Sequence, residues 1–99
     1  MTLTPKQRAR LKGLAHHLKP IHQVGKEGLS EMTLEAILEV FNHRELIKVR
    51  VREAAPVTAR EAGEGIAARL PDVEHVQTIG RTVVLYRRHP EKPSIDLAR

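Results

Sequence analysis

Gly25-Lys26-Glu27-Gly28 is the stretch of this chain best suited to holding an anion. Glycine reaches positive φ without a Cβ clash, so the backbone here can turn sharply and bring its N–H groups close to another molecule. A helix expected to begin just beyond, capped by Ser30, would aim free N–H groups and the positive end of its dipole at the same place. Such a junction accepts a phosphate. Lys26 is the only side-chain cation of the turn, and Glu27 beside it opposes an anion, so the backbone N–H groups are the expected ligands.

More cations surround this turn. Lys6, Arg8, Arg10, Lys12 and Lys19 all fall within residues 1–19, a segment with no acidic residue. Lys48, Arg50 and Arg52 alternate with Ile47, Val49 and Val51, which predicts a strand with one apolar face and a second cationic patch on its open face. Arg81 follows Gly80 at an expected hairpin tip. Net charge is +5, from 17 Lys and Arg against 12 Asp and Glu, and favours a polyanionic partner. Phe41 and Tyr86 are the only aromatic rings apart from histidine. Platforms that stack bases need several such rings, so a nucleic-acid contact here must grip backbone and shape.

Other chemistries find less support. The chain has no cysteine, which excludes disulfides and thiolate chemistry. His16, His17, His22, His43, His75 and His89 show no metal-ligand spacing and read as surface or capping groups. Neither a metal nor a cofactor is expected. There is no G-x-S-x-G, phosphate-binding Walker loop or dinucleotide fingerprint, so a binding protein is expected in preference to an enzyme. The alternatives are a protein-interaction module whose acidic helix face docks on a ribosomal protein, and a nuclease of unrecognised type. No apolar run approaches the roughly 18 residues of a membrane span, and the first residues lack a signal peptide's apolar stretch; a cytoplasmic monomer is expected.

The elements that must position these groups follow from periodicity and caps. Thr4, Pro5 and Gln7 form a capping box that predicts a helix over about 5–17, with Leu11, Leu14, Ala15 and Leu18 as its apolar stripe. Ile21–Val24 reads as a short strand. Leu34, Ile37, Leu38 and Phe41 mark the buried face of a second helix, which makes Phe41 a core residue. A strand follows over 46–52. Thr58 and Glu61 cap a third helix over about 59–70, which Gly63 and Gly65 weaken by up to roughly 1 kcal/mol each. Residues 73–79 and 82–87 form two further strands around a type II′ turn at Gly80-Arg81. The expected fold class is α/β: a two-layer sandwich of order α-β-α-β-α-β-β, with a four-stranded mixed sheet and helices on one face. Residues 1–88 form the single domain, and 89–99, with Pro90 and Pro93, read as a loosely ordered tail.

Taken together, Lys12-Gly13-Leu14-Ala15-His16 with Leu18-Lys19-Pro20, the Gly25-x-x-Gly28-Leu29 turn, His43-x-Glu45-Leu46-Ile47-Lys48-Val49, and Ile79-Gly80-Arg81-Thr82-Val83-Val84-Leu85-Tyr86-Arg87 resemble the YhbY-type CRM domain, a chloroplast RNA splicing and ribosome maturation module. The resemblance runs from about residue 3 to 88. It implies a fold similar to the C-terminal domain of translation initiation factor three. It also implies an RNA-binding protein of pre-ribosomal particles that acts on precursor RNA of the large subunit. The family's G-x-x-G turn is likened to the backbone clamp of KH domains, a role that falls here on Gly25, Lys26, Glu27 and Gly28. With it, Arg8, Arg10, Lys12, His16, Lys19 and Arg81 make up the expected RNA-binding set.

Overall fold

Each helix begins where a side chain satisfies its first free N–H groups. In the computed structural model, which describes residues 2–97, the elements are α1 (Pro5–Ala15), β1 (Pro20–Val24), α2 (Glu31–Val40), β2 (Leu46–Val51), α3 (Ala59–Arg69), β3 (Glu74–Ile79) and β4 (Thr82–Tyr86). Thr4 Oγ1 accepts from the Gln7 N–H at 3.1 Å while Gln7 Oε1 accepts from the Thr4 N–H at 3.0 Å. Thr58 and Glu61 repeat that box on α3, and Ser30 Oγ accepts from the Thr33 N–H at 3.2 Å on α2. At the hairpin tip Gly80 has φ +58°, and Arg81 does not share the positive φ, as the expected turn requires.

The sheet runs in the order β1-β2-β4-β3. β1 pairs parallel to β2, whereas β4 pairs antiparallel to both β2 and β3. β3 is therefore parallel to β2, with β4 inserted between them. The crossovers β1-α2-β2 and β2-α3-β3 advance in the same direction across the sheet. A common right-handed connection therefore puts α2 and α3 on the same face. There Ile37 and Phe41 of α2 and Ala62 and Ile66 of α3 pack on Val24, Ile47, Val49, Val51, Val83 and Leu85.

The element order and the mixed four-stranded sheet agree with expectation, but the helices do not all lie on one face. No crossover constrains α1, and it covers the opposite side. Leu11 and Ala15 pack there with Leu3, Leu46, Val76, Val84 and Tyr86. The cause is β4, whose run Val83-Val84-Leu85-Tyr86 is buried on both faces. The stripe of α1 is narrower than its spacing implies, because Leu14 is 41% exposed.

α3 lies close against the sheet, and its glycines are the reason. A Cβ on Gly63 would come within 2.8 Å of the His75 ring and of Val83 Cγ1, and one on Gly65 within 2.6 Å of Leu29 Cδ1. Residues 89–97, expected to be loosely ordered, contain no helix or strand but are tied back to the domain. Glu45, 5% exposed, accepts from the N–H groups of His89, Ser94 and Ile95 at 2.7 Å each and from the Ser94 hydroxyl at 2.9 Å. Ile95 and Leu97 then pack on the α1-side core. Ala98 and Arg99 of the tail, and Met1, lie outside the described residues.

Candidate nucleic-acid interface

The Gly25–Gly28 turn closes on itself, the Gly28 N–H donating to the Gly25 carbonyl at 2.9 Å. Only one of its glycines is required by conformation. Gly28 is buried at φ +62°, and a Cβ there would meet Pro56 Cγ at 2.9 Å; a Cβ on Gly25 would meet nothing. Lys26 and Glu27 are exposed at the tip. Their backbone N–H groups take no partner among the described residues, and neither do their side chains. An incoming anion thus meets two open N–H donors and one ammonium, opposed by the Glu27 carboxylate. Leu29 buttresses the turn from behind against α3, and Arg69 Nη1 donates to its carbonyl at 3.0 Å.

The other polar groups at this end of the sheet are placed by the strand register. Val24 pairs with Val51, and the Val51 N–H donates to the Arg81 carbonyl at 2.7 Å. The glycine turn and the hairpin tip therefore flank the end of β2 on either side. Arg81 is exposed there with its Nη2 4.0 Å from Glu53 Oε1, which partly offsets its charge.

α1 divides its cations between two roles. Arg8 Nη1 donates to the carbonyls of His75 at 2.8 Å and Val76 at 2.7 Å. These sit where the β3–β4 register shifts between His75 and Gln77, and such a bulge leaves carbonyls out of the ladder. Arg10 Nε donates to the Asp96 carbonyl at 2.9 Å. Both guanidinium groups, expected as RNA contacts, thus each hold backbone carbonyls within the fold, Arg8 half-buried and Arg10 exposed. Lys12 and Lys19 are exposed and make no hydrogen bond or ion pair among the described residues. His16 is exposed too, its ring edge-on to His17 with centroids 5.2 Å apart.

Lys48 and Arg50 alternate with residues of the α2/α3 core, so they share the sheet face that α1 covers. They extend the α1 cations and do not form a separate patch. Where α1 ends at Ala15, the sheet beyond it is left open as a groove of about 570 Å³, lined by Lys12, His16, Lys48, Gln77, Ile79 and Val84 among others. Among the described residues no carboxylate lines it. The acidic side chains Glu31, Glu35, Glu61 and Glu64 belong to α2 and α3, on the other face. Sequence reasoning found Lys12, His16 and the charge of Lys48. It did not find Gln77 and Ile79, since only the β3 bulge, which no residue type announces, turns Gln77 onto this face.

Four titratable groups away from the groove are perturbed, Glu45, Glu61, His75 and Tyr86, and the first and third bear on how the tail and β3 are held. Burial alone would raise the pKa of Glu45, yet the N–H and hydroxyl donors of the tail outweigh it and hold the carboxyl below its ordinary value. Burial lowers the pKa of His75, whose Nε2 lies 2.7 Å from Thr78 Oγ1, and the charges of Arg8 and Arg60 add to that against the opposing Glu64. Among the described residues no helix is long and apolar enough to cross a membrane, and no group of three or more His, Asp or Glu side chains could hold a metal ion.

Known proteins resemble this chain in sequence and fold. A Haemophilus influenzae protein named "RNA-binding protein" is 45% identical over 99% of this chain and 97% of its own length. The "Probable RNA-binding protein YqeI" of Bacillus subtilis is 40% identical over 96% and 98%. The solution structure of a Staphylococcus aureus protein, described as a candidate RNA binder, superimposes with a TM-score of 0.76 at 35% identity, covering 96% of this chain and 98% of that one. The family model of the CRS1 / YhbY (CRM) domain matches residues 3–87. With residues 3–87, nearly its whole length, matched by that family model, the chain belongs to the CRS1 / YhbY (CRM) domain family.

Proposed function

We propose that this protein binds RNA by its backbone, through the open N–H groups of the Gly25–Gly28 turn and the cations beside it, on precursor ribosomal RNA of the large subunit during assembly. It acts as a cytoplasmic monomer that needs no cofactor and is not an enzyme. The observation that carries the reading is the division of charge. Lys12 and Lys48, unpaired among the described residues, share the α1 side, the turn with Lys26 lies at the end of the same sheet, and the acidic side chains of α2 and α3 lie on the other face. The names of the relatives support RNA as the ligand. Within the expected set, Lys12, His16, Lys19, Lys26 and the turn backbone make the contacts. Arg81 adds to them at the turn's flank, while Glu27 stays in solvent.

Crosslinking in living cells, followed by sequencing of the attached RNA, tests the target. Enrichment of large-subunit precursor sequences is expected. Reads spread evenly over messenger RNA would overturn the target. Association with ribosomal proteins that survives complete RNase digestion would favour the docking alternative.

A further inference from the structure

Of the cations expected to touch RNA, those on the outer turns of α1 are already bonded within the fold, whereas the groups lining the groove at its end are not. The Lys12 and Lys48 ammonium groups and the Gln77 side-chain amide have no hydrogen bond or ion pair among the described residues. Lys48, Val84 and Gln77 are direct neighbours across β2, β4 and β3. With strands about 4.8 Å apart, the Lys48 and Gln77 backbones stand roughly 10 Å from one another. Val84 is fully buried beneath them and offers no open surface, so the accessible aliphatic floor is Ile79, 54% exposed at the open end. His16 closes the side where α1 stops.

We propose that this groove is a subsite for one unpaired nucleotide of single-stranded or bulged RNA, an assignment that rests on the RNA-binding reading above. The base lies on Ile79 with the His16 ring against it, Gln77 hydrogen-bonds the base edge, and Lys12 and Lys48 hold the flanking phosphates. The chemistry of the lining selects this occupant. A phosphate alone would leave the aliphatic floor and the amide unused. A duplex buries its base faces in the stack and cannot present one to a recessed surface. An acidic peptide would match the lysines but not the floor. The volume, about 570 Å³, lies within the range of about 300–1,000 Å³ typical of small-molecule sites. The groove also complements the glycine turn. Lys48 lies three residues before Val51, whose β1 partner Val24 leads into the turn, a rise of roughly 10 Å along the strand. One RNA strand can therefore engage both.

The test is an amide-shift NMR titration of the full-length protein with three probes: hexauridylate, a blunt RNA duplex of equal phosphate count, and polyglutamate of equal charge. Hexauridylate should shift the amides of Gly13, His16, Lys48, Gln77 and Ile79, and the duplex should shift the glycine turn while leaving these unmoved. Gln77→Ala should weaken hexauridylate binding about three- to tenfold and leave duplex affinity unchanged, as expected for loss of a base contact and not a phosphate contact. Lys48→Gln should weaken hexauridylate binding by a similar factor, and the spectrum of each variant reports directly whether its fold is kept. Groove shifts of equal size with duplex or polyglutamate would overturn the subsite, reducing it to a general anion surface. Hexauridylate shifts confined to Gly25–Gly28 would overturn the subsite and leave the RNA reading standing. No shift with either RNA would overturn both.

Discussion

Gly25 and Gly28 look equivalent in the sequence but are held by different physics. Gly28 has a left-handed φ of +62° and Pro56 Cγ where its Cβ would go. Gly28→Ala should therefore lower stability by about 1–2 kcal/mol, measured by urea unfolding. Gly25 has neither constraint, and Gly25→Ala should leave the midpoint within about 0.5 kcal/mol of the parent. If RNA backbone approaches the turn closely, a bulkier Gly25→Val will weaken RNA binding while folding stays intact. Equal RNA affinity in that variant would show the turn to be structural. Glu45 makes the second residue-scale prediction. Glu45→Ala strands three N–H donors of residues 89–95 and should cost about 2–3 kcal/mol. Because its folded pKa is depressed, the carboxylate's contribution is fully present above the reference value of 4.5 and is lost as pH falls through the lower folded value. Unfolding curves of the parent should therefore converge on those of Glu45→Ala on acidification; a gap that stays constant to low pH would contradict the latch.

The elements of this fold were legible because local signals agreed with one another. Thr4 with Gln7, and Thr58 with Glu61, form the capping boxes their spacing announces, and Ile47, Val49 and Val51 point inward as their alternation requires. The side on which α1 packs was harder to read, because a helix outside any βαβ unit has no handedness rule to place it. A signal did exist. The unbroken run Val83 to Tyr86 marks a strand covered on both faces, and Leu14, counted into the apolar stripe, obscured how little of α1 is buried. Gly63 and Gly65 likewise register in the sequence only as helix weakness, while the structure shows what they permit. Gly63→Ala should lower the thermal midpoint even though alanine favours helix, since overpacking against His75 and Val83 outweighs the gain of about 1 kcal/mol in propensity. Gly65→Ala meets only the end of the flexible Leu29 side chain and should be close to neutral. A rise in the midpoint of Gly63→Ala would mean that α3 can withdraw from the sheet.

At the scale of the whole molecule, topology converts a chain of alternating charge blocks into two faces of opposite character. The candidate site was only half visible beforehand. Charges can be counted from residue types, but their availability cannot. Arg8 and Arg10 belong to the acid-free N-terminal segment as fully as Lys12 does, yet backbone carbonyls of the β3 bulge and the tail occupy them. Lys48, set apart by 36 positions from Lys12, shares a groove with it. The central claim is that this face and the adjoining turn grip RNA through phosphates. Its most direct test is the salt dependence of affinity for single-stranded oligouridine, comparing the parent with the Lys12→Gln, Lys26→Gln double variant. At about 0.7 per phosphate contact, the slope of log K against log salt should be shallower by roughly 1.4 in the double variant. An unchanged slope, or no binding by the parent at low salt, would contradict the account.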